Sequence, residues 1–178
     1  MFHHRWAVAI LAELNASGTG TRSVVLVNRL GISRAMLGTT LSTLIEAELV
    51  MRNPGYGHPL RPEYVLTDRG KRVAPGCVRF EVLVDGLGVG ELAHRKWTAP
   101  LLFAIRAGTS RFNALQSALP GISPRALTSA LKSLREAALI IRQVDDGYPP
   151  ATAYVLTQSG RRIANVAARM TETLGRAG

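Results

Sequence analysis

The sequence predicts a predominantly helical α+β chain built from two tandem copies of one small domain. Three observations predict it: one segment occurs twice, each copy carries the same order of helix and strand signals, and 178 residues suffice for two small domains. Residues 31–52 read GISRAMLGTTLSTLIEAELVMR, and residues 121–142 read GISPRALTSALKSLREAALIIR. The match continues without a gap, Pro59 falling on Pro149, Tyr64-Val65-Leu66-Thr67 on Tyr154-Val155-Leu156-Thr157, and Gly70 on Gly160. Upstream, Arg22 falls on Arg111 and Trp6 on Trp97 with small gaps. The period is too long for a solenoid unit and fits two complete domains fused head to tail. The expected division is 1–75, a connector over 76–96, and 97–178.

The elements follow in order. The first helix is expected at about Arg5–Leu14 and again over Trp97–Arg106, where Leu101, Leu102 and Ile105 share a face. Gly108-Thr109-Ser110 ends the latter and offers a cap. The second helix is expected over Ser23–Leu30 and Arg111–Leu119, the latter with Phe112, Leu115 and Leu119 at helical spacing. Pro120-Gly121 marks a turn. The third helix starts at Ser33 or Ser123, both good N-caps. Pro124 follows at the position where its missing N–H costs nothing. Its buried stripe is Leu37, Leu41 and Leu44 in one copy, and Leu127, Leu131, Leu134 and Ala138 in the other. Leu139–Arg142 has strand composition, and Ala153–Leu156 returns antiparallel to it. Between them Asp145-Asp146-Gly147 and Pro149-Pro150 mark a loop; its counterpart is Asn53–Pro62. Thr157 caps a closing helix over about 158–174, with Ile163, Val166, Ala167 and Met170 inside. Three helices, a two-stranded hairpin and a closing helix make the winged helix-turn-helix plan. In it the third helix reads a groove and the hairpin loop touches the backbone.

The connector contains Val78, Phe80, Val82, Leu83, Val84, Leu87 and Val89, which need burial. Gly76, Gly86, Gly88 and Gly90 are expected to break it into one or two short helical pieces packed between the lobes. Cys77 is the single cysteine, so no intramolecular disulfide forms; it reads as buried filler rather than a redox sensor or nucleophile.

Lys plus Arg is 22 and Asp plus Glu is 12, a formal net charge of +10, carried mostly by Arg. Such a balance points to a polyanion partner; the bland alternative is an Arg-rich composition on a solvated surface. Residues 1–90 hold a net +3 and residues 91–178 a net +7, so a polyanion should feel the second copy more. Hydrophobic residues make up 47%, which argues against disorder throughout. The apolar runs are short, so no transmembrane helix is expected. Glu13 and Asn15 interrupt what would be a signal-peptide core, and the expected compartment is the cytoplasm. His3, His4, His58 and His94 have no metal-ligand spacing, and Gly86-x-Gly88-x-Gly90 lacks the strand–loop–helix context of a dinucleotide loop. No paired carboxylates or Cys/His motif appear, so an enzyme is not expected, and neither is a cofactor or metal.

With these residues in place, the sequence resembles the HxlR family of bacterial winged-helix regulators. The resemblance is carried by Arg111-Phe112-Asn113, Leu119-Pro120-Gly121-Ile122-Ser123 and Arg125-Ala126-Leu127-Thr128. Leu131, Leu134, Glu136, Leu139-Ile140, Tyr154-Val155-Leu156-Thr157 and Gly160 continue it. The first copy retains Gly31-Ile32-Ser33, Leu37, Leu41, Leu44, Glu46, Leu49-Val50, Glu63-Tyr64-Val65-Leu66-Thr67 and Gly70. The resemblance implies a transcriptional regulator that binds double-stranded DNA. Ordinary members resemble single-domain chains that pair as homodimers, so this chain resembles a dimer fused into one polypeptide. It would act as a monomeric pseudo-dimer or as a homodimer. Some members sense redox through a cysteine near the N-terminus; Cys77 does not match that position, so thiol sensing is not carried over.

On the third helix of the second copy, Arg125, Ser129 and Lys132 lie about 140–200° from Leu127, on one outward face, with Thr128 at its edge. These four are the candidate base contacts, since Arg reads guanine bidentately and Ser and Lys serve bases or phosphates. Glu136 shares the face, as on any solvated helix. Candidate backbone contacts are Ser123 at a helix N-terminus, Arg111 and Arg22 at the second helices, and Arg34, Thr39, Ser42 and Arg61 in the first copy. The first copy's reading positions are Ala35, Thr39 and Ser42, without positive charge, and Gly38 weakens that helix. Its wing offers Arg61 and His58, whereas the second wing has Asp145 and Asp146. Arg161 and Arg162 read equally as DNA contacts or solubilising charges. Trp6, Trp97, Phe80 and Leu83 read as packing or as the lining of a ligand site for a small-molecule effector. Tyr64 and Tyr154 read as structural. Two functions therefore stand open. One is a DNA-binding regulator with two non-identical readers; the other is a small-molecule-binding protein on a fused winged-helix scaffold with weakened or lost DNA binding, beside which stands a protein–protein adaptor using the same surfaces.

Overall fold

A computed structural model describes residues 6–53, 62–145 and 151–175, with only the backbone of Asp145 and Ala151. The chain divides into two compact units. One holds the described residues up to Val82 together with those from Arg169 onward, and the other is Leu83–Ala168.

The first unit opens with α1 (Ala7–Ser17), whose Ala7, Val8, Ile10, Leu11 and Leu14 are buried. The helix runs a turn past Leu14 and ends at Gly18, which takes the left-handed conformation that glycine adopts without strain. Then come β1 (Thr21–Arg22), α2 (Ser23–Leu30) and α3 (Arg34–Glu46). The hairpin β2 (Val50–Asn53) and β3 (Glu63–Leu66) pairs Val50 with Leu66 and Asn53 with Glu63. β1 adds to the other edge of β3, giving the sheet order β1-β3-β2. Two residues carry no alternation, so this strand has no sequence signature.

α4 spans Asp68–Gly86 without a break. The expectation that Gly76 interrupts it is corrected here: the helix passes through both Pro75 and Gly76. A Cβ built on Gly76 would fall 2.7 Å from Cγ of Met170, so glycine is what permits this close approach. Val73, Ala74, Cys77, Phe80 and Val84 are buried at helical spacing, and that burial outweighs the roughly 1 kcal/mol propensity cost of one glycine. Gly86 does end the helix, and Gly88 beyond it has a positive φ.

The second unit continues with α5 (Gly90–Ala93), α6 (Thr98–Arg106), α7 (Phe112–Ala118) and α8 (Pro124–Glu136). β4 (Ile140–Asp145) and β5 (Ala151–Leu156) form a two-stranded sheet, pairing Ile140 with Leu156 and Asp145 with Ala151. Asp145 therefore ends a strand rather than opening the loop, and Asp146 to Pro150 lie outside the described residues. Where the first unit has β1, this one has a single bridge, Arg111 to Ala153. α9 (Gln158–Gly175) closes the chain with Ile163, Ala167 and Met170 buried.

The same joint locks helix, hairpin and closing helix in both units. Thr67 Oγ1 donates to the Glu48 carbonyl at 2.6 Å and accepts from Gly70 N–H at 3.0 Å. Thr157 Oγ1 repeats this with Ala138 at 2.7 Å and Gly160 at 3.1 Å. Glu48 and Ala138 both take a positive φ, 55° and 52°. Ala138 is thus a left-handed, exposed turn residue after α8, not part of the expected buried stripe; Leu139 beside it is buried. A Cβ on Gly70 or Gly160 would overlap the carbonyl oxygen of Leu49 or Leu139, so neither position accepts a side chain.

Candidate nucleic-acid interface

α8 is built to present a face. The Ser123 hydroxyl accepts the Ala126 N–H at 3.2 Å, and Pro124 takes the first helical position, which fixes the start. Leu127, Leu131 and Leu134 are each at most 2% exposed and pin the inner side. Arg125, Ser129 and Lys132 are exposed on the opposite side, with Thr128 exposed at its edge. Thr128 turns its hydroxyl onto the Pro124 carbonyl at 2.9 Å, leaving its methyl for contact. Lys132 lies 3.8 Å from Glu136, an exposed pair that water screens and a phosphate can compete for. Arg125 makes no ion pair or hydrogen bond among the described residues.

Sequence reasoning missed two cations beside this face. Arg135 and Arg142 join Lys132, Glu136, Ile140 and Ile141 around an open groove of about 530 Å³ between α8 and β4. Arg142 donates to Thr152 Oγ1 across the hairpin at 3.2 Å. Continuing the helical projection three residues past Lys132 finds Arg135; Arg142 becomes visible only through the strand register.

Arg111 is exposed and extended at the N-cap of α7. Its bridge partner is Ala153, whereas Arg22, at the N-cap of α2, pairs with Glu63 and lies 3.7 Å from its carboxylate. The corresponding arginines thus differ: one faces an apolar methyl and the other a counter-charge.

α3 has the same construction and different surface chemistry. Ser33 Oγ accepts Met36 N–H at 3.2 Å, and Leu37, Leu41 and Leu44 are buried. Arg34 is exposed in the first turn. Thr39 and Ser42 are exposed, with the Thr39 hydroxyl donated to the Ala35 carbonyl at 3.1 Å. Met36 and Ile45 are exposed where the second copy has Ala126 and Arg135. Arg61 and His58 lie outside the described residues.

Trp6 and Trp97 are half-buried at the N-caps of α1 and α6, with Lys96 Nζ 4.8 Å from the Trp97 ring centre. Phe80 is fully buried on α4 and Leu83 half-buried. Tyr64 and Tyr154 are half-buried strand residues. Cys77 is 0% exposed; burial, reinforced by the Glu81 charge, pushes its thiol up to about 12. A thiol held protonated is a poor nucleophile. Among the described residues no group of three or more His, Cys, Asp or Glu could hold a metal ion, and no helix is long and apolar enough to cross a membrane.

Two helix-turn-helix units, each closed by a strand hairpin and a C-terminal helix, define a tandem winged-helix chain. The chain belongs to the HxlR-like helix-turn-helix family, whose family model matches residues 1–85 and again 92–176. It is similar to the uncharacterized HTH-type transcriptional regulator YvaP of Bacillus subtilis, 32% identical over 90 residues, which covers 51% of this chain and 78% of the relative. An uncharacterized HTH-type transcriptional regulator of Methanothermobacter thermautotrophicus is 32% identical over 83 residues, 47% of this chain and 59% of the relative. Among solved structures, the reduced form of the B. subtilis transcriptional regulator YodB matches at 26% identity and a TM-score of 0.44, covering 48% of this chain and 83% of that chain.

Proposed function

We propose that the chain is a sequence-specific DNA-binding transcriptional regulator in which the two copies do unequal work. In this reading α8 enters a major groove, where Arg125, Thr128, Ser129 and Lys132 contact bases and Ser123 and Arg111 contact phosphates. Arg135 and Arg142 flank the same groove and add backbone contacts. The first copy supplies phosphate contacts through Arg22, Arg34, Thr39, Ser42 and Arg61. The observation that carries this reading is the exposed cationic face of α8. Its counterpart on α3 holds Ala35, Thr39, Ser42 and Ile45 and no cation. The target therefore has two unequal half-sites rather than a palindrome. The chain acts as a monomeric pseudo-dimer or pairs further as a homodimer, in the cytoplasm.

The test is selection from a randomised duplex pool, with sequencing of the bound fraction. The expected result is a motif with one strongly and one weakly specified half-site. Arg125→Ala should relax preference at one base pair and cost about 1–3 kcal/mol in binding. A preference unchanged by that substitution would remove Arg125 from the readout. No binding at low salt would leave the second reading, a small-molecule-binding protein on a fused winged-helix scaffold. The bare α3 face favours that reading for the first copy.

A further inference from the structure

We propose that the second unit carries a binding site for a small monocarboxylate with an apolar body, in a cleft bounded by α6, β5 and α9. The cleft holds about 320 Å³, enough for a one-ring ligand. Ile105, Val155 and Leu156 give it an apolar lining, and Arg106, Arg161, Ser110 and Tyr154 bring polar groups to the same space.

The charge in this cleft is unbalanced. Arg106 Nε donates to Asn165 Oδ1 at 2.7 Å, which orients the guanidinium and leaves its terminal nitrogens available. Among the described residues the Arg161 guanidinium reaches only the Leu156 carbonyl, at a long 3.4 Å. Neither arginine has a carboxylate partner among the described residues, and no carboxylate lines the cleft. Two planar guanidinium groups over an apolar floor suit a planar oxyanion, which each can bind in a fork. The hydroxyls of Ser110 and Tyr154 supply further donors.

The winged-helix fold does not require this cluster. In the first copy the repeat puts Asn15 where Arg106 stands, Pro75 where Asn165 stands, and Lys71 where Arg161 stands. The positions kept for folding, Thr67/Thr157 and Gly70/Gly160, are identical in the two copies. The lining of the cleft does not include Trp6, Trp97, Phe80 or Leu83, the residues sequence alone put forward for an effector. The proposal does not depend on the DNA-binding reading, because ligand binding is measured directly.

The experiment is calorimetric titration of the full chain with benzoate, with benzyl alcohol as the neutral probe and inorganic phosphate as the anion without an apolar body. The expected result is saturable benzoate binding at one site per chain, weakened at least about tenfold in Arg106→Gln and in Arg161→Gln. Benzyl alcohol and phosphate should each bind at least about tenfold more weakly than benzoate. Asn165→Asp, an isosteric change at an exposed position, places a carboxylate against Arg106 and should abolish benzoate binding while melting as the parent does. Absence of benzoate binding to the parent chain overturns the proposal. So does equal binding of benzyl alcohol or phosphate, or benzoate binding untouched by all three substitutions.

Discussion

Cys77 shows how one side chain's surroundings decide its chemistry. Its thiol is 0% exposed and held protonated to about 12 against an ordinary 9.0, chiefly by burial and secondly by the Glu81 charge. The folded state keeps its proton where the unfolded chain releases it. Stability from this group is therefore complete below pH 9 and declines as pH rises from 9 toward 12. Two measurements check this. Disulfide reagents should modify the native protein far more slowly than the denaturant-unfolded chain. Urea midpoints should fall more steeply above pH 9 in the parent than in a Cys77→Ala variant. Sequence alone already read Cys77 as filler, because apolar neighbours surround it. The same residue-scale reasoning stopped short on α8: it set Arg125, Ser129 and Lys132 on the outward side, where they are exposed, but passed over Arg135 and Arg142. Arg142 belongs to a strand, and only the pairing of Arg142 with Tyr154 in the hairpin sets where it stands relative to α8.

At the scale of elements, the two glycine-threonine joints are the strongest sequence signal with a mechanical meaning. Gly160→Ala should cost about 3 kcal/mol, since its Cβ would overlap the Leu139 carbonyl oxygen and backbone has to move. Gly38→Ala, a helix-interior glycine with nothing within 4 Å of the added Cβ, should instead raise stability by up to about 1 kcal/mol. Chemical denaturation of both variants checks the pair, and a Gly160→Ala chain as stable as the parent would contradict the geometry. The helices and hairpins were legible because two copies print each cap and stripe twice: Ser33 with Ser123, and Leu37 with Leu127. The connector was not legible for the opposite reason. Gly76 has one copy, and its role depends on Met170, 94 residues away in the chain, which no local propensity reports.

At the scale of the whole molecule, the net +3 of residues 1–90 and +7 of residues 91–178 set a direction. Each phosphate that a substitution leaves without its cation should reduce the slope of log binding constant against log salt by about 0.9. Replacing Arg111, Arg135 and Arg142 with Ala should therefore flatten the slope by about 2–3, and replacing Arg22 and Arg34 by about 1, because Glu63 already offsets the charge of Arg22. Anisotropy titrations over a salt series check this; equal flattening by the two sets would mean that the copies share the polyanion evenly. The tandem plan itself was readable from the repeat, and the family match over 1–85 and 92–176 agrees with it. What divides the copies, Glu63 against Ala153 and Ile45 against Arg135, matters only once the strands and helices fix which positions face out.

The repeated joint has a genetic consequence. In a regulator assembled from two identical chains, one codon change alters both readers at once, and a half-site can change only together with its mirror image. Here a single reading frame encodes each copy separately. Thr67 and Gly70, and again Thr157 and Gly160, mark what each copy must retain in order to fold. Outside the joint, the caps and the buried stripes, a mutation can change one copy while sparing the other. Arg111 beside Ala153 and Arg22 beside Glu63 mark a position at which the two copies differ in this way.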